Sequence, residues 1–271
     1  MENFICVQCG TQFAETVEPP PGCPICEDER QFVRHEGQAW TTLKRLATDH
    51  HNRLEDEAPR LLGIGSEPEF AIGQRALLLQ SPGGNLLWDC TALLDDQTAA
   101  EVDARGGIRA IAISHPHFYT TMVDWAERLD AEIFLHAADR EWVLRESPRI
   151  QFWEGTRLSL WAGMTLINCG GHFDGGTVLH WPAASRGRRS KGALLTGDII
   201  TVVQDRRYVS FMRSYPNLIP LGAAAIHRIL ERIEPFSFEQ IYGGWWKANV
   251  LADAKAAVVR SAERYLRAIS A

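Results

Sequence analysis

Three apolar runs in this chain stop at residues that can hold a metal ion. "IRAIAISHPHF" places His115 and His117 one residue apart, "LINCGGHFDGG" places His172 between glycines, and "GALLTGDII" ends on Asp198. Each run reads as a short buried strand, and loops at strand ends are where scaffolds hold reactive groups. Pro116 restricts the backbone between the two flanking imidazoles. The glycines around His172 let its loop approach others closely. Three imidazoles and a carboxylate suit a divalent first-row ion with room left for water. Taken singly, the signals are weak: a lone histidine is usually structural or exposed, and Gly-Asp after a strand is commonly a turn.

The pattern around these segments gives the fold class. "EFAIGQRALLLQ" and "NLLWDC", separated by "SPGG", read as a β-hairpin. Helix candidates at 96–105, 120–130, 138–145 and 221–233 then alternate with strand candidates, and an amphipathic helix closes the chain at 252–269. Hairpins followed by alternating helices and strands predict two sheets with helices outside, an α/β layered domain. The stretch 39–56 reads as helical, with Thr41 or Thr42 as its cap and His50 and His51 exposed.

Four of the six cysteines fall in "CVQCGTQFAETVEPPPGCPIC". Cys6 and Cys9 form one Cys-x2-Cys pair, and Cys23 and Cys26 form another after thirteen residues, 10 to 22. Two such turns close a tetrahedral four-sulfur cage. A segment too short for its own core would draw its folding energy from the metal. It resembles a zinc ribbon or rubredoxin-like knuckle, for which zinc is the usual occupant and iron fits the same sulfurs. The chain divides accordingly into a ribbon over 1–38 and a main domain over 39–271, with 27–40 as a partly ordered linker.

From about residue 60 onward the sequence resembles the metallo-β-lactamase superfamily. The resemblance rests on "SHPH", "GGHFDGG", "LLTGDII" and, more weakly, "LLWDC". It implies an αββα sandwich. It matches His115, His117 and His172 to metal-binding histidines, Asp198 to the aspartate that bridges two metals, and Asp89 to an acidic residue beside the site. The family's first motif, His-x-His-x-Asp-His, departs here: its Asp-His pair falls on Tyr119 and Thr120, and its last histidine falls at or near Gly244. The resemblance therefore implies one metal in place of two. His136, His180 and His227 are expected to lie outside the centre, and Cys90 and Cys169 to be inert buried thiols.

One zinc ion held this way supports water activation against an ester, thioester or amide. Asp198 would orient the water or accept its proton, and Tyr119 would donate to a developing oxyanion or plug the empty second site. The aromatic segments at 206–218 and 242–246 are candidate pocket walls. A mononuclear iron oxygenase and a non-catalytic binding protein are the competing readings. The net charge of -6 and pI of about 5.9 argue against general nucleic-acid binding, and the basic run at 185–192 reads as a solvated loop. No apolar stretch is long enough to span a bilayer and no signal peptide is recognisable. A cytoplasmic protein with a small-molecule substrate is expected, and the ribbon is available to a protein partner.

Overall fold

The computed structural model describes residues 1–182 and 192–270. Of the basic run at 185–192, all but Gly192 lies outside the described residues. Two sheets form the centre. The first has seven strands in chain order, from His51–Ala58 to Ile150–Trp153. Its early neighbours pair antiparallel, but Leu86–Trp88, Ala110–Ala112, Glu132–His136 and Ile150–Trp153 run parallel. The second has six strands, and Ala193–Leu195 pairs in parallel with Gln240–Tyr242.

Side-chain alternation explains the layering. In Arg75–Leu79, Leu77 and Leu79 point between the sheets, where they join Trp88, Leu179, Trp181 and Leu195. Ala76 and Leu78 point the other way, toward Val102, Trp125 and Ala126 of the helices Asp96–Ala104 and Met122–Arg128. On the far side, Val178, Leu194 and Ile241 pack against Ile226, Ile229 and Val258 of the helices Ala223–Ile233 and Ala254–Ile269. A strand covered on both faces needs an unbroken apolar run, which is why "ALLL" and "ALL" read as they do. The result is two sheets with helices outside, as the sequence pattern predicts, in the αββα order that the resemblance implies.

The stretch 39–56 departs from its helical reading. Only Leu43–Asp49 is helical, capped by Thr42, whose hydroxyl accepts from Arg45 N. His51–Ala58 is an edge strand paired over its length with Leu61–Glu67. His51 is exposed, whereas His50 is half-buried, edge-on to Phe70. The segment 138–145 is likewise a short 3₁₀ turn, Ala137–Trp142, rather than a full helix.

The cysteine-rich segment docks on the sandwich. Its Ile5–Cys6 strand pairs with Trp40–Thr41, so its small sheet closes two residues beyond position 38. Gln12 N donates to Thr120 O (3.0 Å) and Gln12 Nε2 to Asp124 (2.7 Å), while Ala14 N donates to Leu144 O. Asn217 Nδ2 donates to the carbonyls of Glu29 and Gln31. Residues 27–40 are thus pinned rather than linker-like, with Arg30 and Gln31 buried.

A buried ion pair ties the sheets together at one end. Arg75 has a fully buried side chain and binds Glu57. It also donates to Gly243 O and, at 2.6 Å, to Asn249 Oδ1 in the second sheet. Removing one partner of such a pair strands a buried charge. Arg75→Met should therefore lower stability by about 3 kcal/mol in urea unfolding. Adding Glu57→Gln should recover part of that loss.

Candidate metal centre

The three ligand-bearing loops meet at the ends of both sheets. One ligand-type atom from each of His115, His117, His172 and Asp198 lies within 4.8 Å of the others, and all four residues are buried. His172 Nε2 is 3.2 Å from His117 Nδ1. Asp198 Oδ2 is 3.6 Å from His115 Nε2 and 3.9 Å from His172 Nε2. A tetrahedral ion with bonds of about 2.0 Å to nitrogen spaces its ligands by about 3.3 Å, so the separations fit a divalent ion.

Neighbouring groups fix the rings. Ser114 Oγ bonds His115 Nδ1 at 2.9 Å, and the His172 Nδ1–H donates to Met212 O at 3.2 Å. Both leave Nε2 facing the centre, as ligand-orienting partners do in metal sites. Asp89, at φ +60°, accepts from Ser114 N at 2.7 Å and so orders the turn into "SHPH". Gly197 passes so close that a Cβ there would lie 2.4 Å from Ser114 Oγ, which explains the glycine before Asp198. The Asp198 carboxylate accepts from Thr201 Oγ1 at Oδ1, and Tyr215 OH donates to its carbonyl at 2.9 Å.

Electrostatics favours a bound cation over protonated imidazoles. Burial holds His115 and His172 down to about 3, with the Arg30 charge adding to the effect at His115 and the His115 ring at His172. Burial, then the neighbouring His172 and His115 rings, keeps His117 well below its ordinary value. Burial pushes Asp198 up to about 6 and Asp89 up to about 7. His115 Nε2, beside Asp198 Oδ2, is buried with no hydrogen-bond partner among the described residues. Neutral nitrogens converging beside a carboxylate, without protons to share, are what a metal ion satisfies.

The four cysteines form a second cluster, also within 4.8 Å and buried. Cys6 Sγ lies 3.6 Å from Cys26 Sγ, and Cys9 Sγ lies 3.7 Å from Cys23 Sγ, with no disulfide formed. Metal–sulfur bonds of about 2.3 Å in a tetrahedron give sulfur spacings of about 3.8 Å. Gln38 Nε2 donates to Cys6 Sγ at 3.1 Å, a bond that supports thiolate character.

Tyr119 is not brought into the centre. The 3₁₀ turn Pro116–Phe118 carries it into the core, where its hydroxyl donates to Asp139 O at 3.4 Å. It neither lines the cavity beside the histidines nor offers an oxyanion donor, and Phe118 occupies the room expected of it. A Cβ on Gly244 would lie 2.6 Å from Phe118 Cζ. Thr120, at φ +40°, faces the ribbon, with its methyl 3.4 Å from a Cβ placed on Gly10. His136 bonds Gly155 O, His180 bonds Ser237 O, and His227 is exposed on its helix. Cys90 and Cys169 are buried in the two helix-facing cores, and burial pushes Cys169 up to about 12.

A cavity of about 300 Å³ opens on His117, His172 and Asp198. Tyr215, Pro216 and Trp245 line it, as the aromatic segments suggest, but so do Gln8, Arg30, Gln31 and Phe32 of the ribbon region. The sequence reading missed this wall. Arg30 stacks over Phe173, 3.9 Å from the ring centroid, and lies 5.0 Å from that of Trp142. Nothing in its local sequence announces that reach. A wider cleft of about 490 Å³, lined by Arg140, Glu146 and Phe152, contains none of the clustered ligands.

Solved structures agree on the fold. The structure superposes on a B3 metallo-β-lactamase with an active-site glutamic acid at TM-score 0.55 and 16% identity, covering 80% of this chain and 88% of that one. The DIM-1 metallo-β-lactamase also gives 0.55, at 14% identity, covering 80% and 98%. The chain is a metallo-β-lactamase-fold protein carrying a four-cysteine ribbon. No family profile matches it. It is 50% identical over 272 residues to YmaE of Bacillus subtilis strain 168, an uncharacterized protein, covering 100% of this chain and 98% of YmaE. The chain belongs to the YmaE family.

The loop holding His172 depends on a buried acid. Asp139 Oδ1 accepts from Gly175 N at 2.7 Å, and burial pushes its carboxyl up to about 7. A raised carboxyl contributes stability that is fully present below its ordinary value of 3.8 and lost as pH rises through about 7. Asn keeps the acceptor without the charge. The stability advantage of Asp139→Asn in urea midpoint should therefore grow between about pH 5 and about pH 8.5.

Proposed function

We propose that the protein is a metal-dependent hydrolase with a single divalent ion, zinc in preference to iron, held by His115, His117, His172 and Asp198. The convergence of three neutral imidazoles and one carboxylate, of which His117, His172 and Asp198 line a cavity, carries this reading. Such an ion supplies a nucleophilic water at neutral pH and polarises a carbonyl, which suits an ester, thioester or amide. The chain's residues do the remaining work. Ser114 and the Met212 carbonyl orient the rings. Asp198 presents Oδ2 to the centre while Thr201 holds Oδ1, which fixes the carboxylate where it would hold the ion and orient its water. Ile72, Pro216 and Trp245 give the cavity an apolar lining that limits water.

Single occupancy is supported by what stands around the ion's place. Tyr119 is turned into the core, Gly244 has no side chain, and the buried guanidinium of Arg30 brings a fixed positive charge to the same cavity. Among the described residues, a second metal would meet that charge with no cluster of ligands beyond the four. The cysteine cluster takes a second, structural zinc, and the absence of disulfides among all six cysteines fits a reducing cytoplasm. Among the described residues, no helix is long and apolar enough to cross a membrane.

Metal analysis tests the reading. Protein purified without added metal should carry about two zinc ions per chain. His172→Ala should lose one, and Cys9→Ser should lose the other. Against a panel of esters and thioesters, Asp198→Ala should reduce turnover by at least about a hundredfold. Unchanged turnover in that variant would remove Asp198 from the mechanism, and a main site that stays empty after zinc addition would refute the hydrolase.

A further inference from the structure

We propose that the ribbon supplies the substrate's anion-binding subsite, with Arg30 as the residue that seats a carboxylate, so that the hydrolase acts on small carboxylate-bearing substrates. The inference deepens the hydrolase reading and rests on it for calling the ligand a substrate. Arg30 reaches the main cavity from just beyond the second cysteine pair and is only 9% exposed. Its Nε and Nη2 bind Asp28 at 2.5 and 3.0 Å. Among the described residues, Nη1 has no hydrogen-bond partner. The stack on Phe173, the residue after His172, holds the guanidinium plane beside the histidine cluster.

Charge makes the ligand class specific. Asp28 offsets the Arg30 charge, and Asp198 offsets one charge of a divalent ion. Asp28 engages Nε and Nη2, so the remaining Nη1 is, among the described residues, a charged donor without a partner on a residue that lines the cavity. A charged N–H donor makes a stronger hydrogen bond to an anion than to a neutral acceptor, and a carboxylate is the usual partner of a guanidinium. The remaining walls mix the amides of Gln8 and Gln31 with apolar Ile72 and Trp245, and an exposed Phe32 stands at the rim. A volume of about 300 Å³ lies at the small end for ligand pockets. The fit is to a compact molecule with an apolar body, one carboxylate at Arg30, and the scissile carbonyl directed at Asp198 and the histidines.

Phenylacetate and its neutral analogue phenylacetamide probe this directly by calorimetric titration of the zinc-loaded protein. Phenylacetate should bind and phenylacetamide should bind at least about tenfold more weakly. Arg30→Gln should weaken phenylacetate by about tenfold or more with both zinc ions retained, and Arg30→Lys should restore part of the loss. Unchanged phenylacetate affinity in Arg30→Gln, or no binding to the wild type, overturns the proposal. If Arg30→Gln does not fold, the wild type stripped of its main-site ion by dipicolinate, with the cysteine-bound ion kept, carries the test. Persistence of the phenylacetate preference supports Arg30 as the anchor, and its disappearance assigns the carboxylate to the metal and overturns the proposal. Zinc content and hydrolysis of neutral esters report on the catalytic reading separately, so either idea can fail alone.

Discussion

The structure depends on bringing three imidazoles and a carboxylate together in a buried space. None of these groups can shed its hydration without compensation, and as protonated rings the histidines would repel one another. The fold meets this by spending its loops on orientation. Ser114 holds one ring, the Met212 carbonyl another, and Asp89 holds the Ser114 backbone in turn. His115 and His117 follow a strand of the first sheet, whereas His172 and Asp198 follow strands of the second. The two sheets must therefore pack in one register for the four groups to meet. Large buried side chains between them, Trp88 and Trp181 among them, set that register.

The second cluster extends the same logic outward. Four buried sulfurs stabilise a segment with little core of its own, and that segment lies against the mouth of the first centre. Trp142 packs on the cysteine cluster, lies beside Arg30 and meets Phe173 edge-on. Phe173 in turn contacts the rings of His115, His117 and His172. Packed side chains thus run without a break from one cluster to the other.

What the sequence disclosed and what it hid divide along the range of the interactions. His115, His117, the glycine-flanked His172 and the Cys-x2-Cys pairs carry their geometry in local spacing, so the residues of both clusters could be named before any coordinates. The layer order followed from apolar runs at Arg75–Leu79 and Ala193–Leu195, which only a doubly covered strand requires. His51–Ala58 was misread because "HNRLEDEA" is polar enough for a helix surface, and only pairing with Leu61–Glu67 makes it a strand. Tyr119 was misjudged because a single 3₁₀ turn decides which of two adjacent aromatics faces the centre, and spacing alone does not reveal that turn. Arg30 was invisible for the opposite reason: its position depends on how a whole segment docks.

The Trp40–Thr41 strand gives that docking a further meaning. It completes the sheet of the ribbon and leads within two residues into the Leu43–Asp49 helix of the sandwich. The ribbon is consequently not an interchangeable cassette on a flexible tether. Cutting the chain at the visible composition change would remove the partner of Trp40–Thr41, unroof the cavity and delete its only arginine from the described lining. In a lineage of such proteins, loss of the cysteines and change of ligand preference would be expected to travel together, because one short piece of chain carries both.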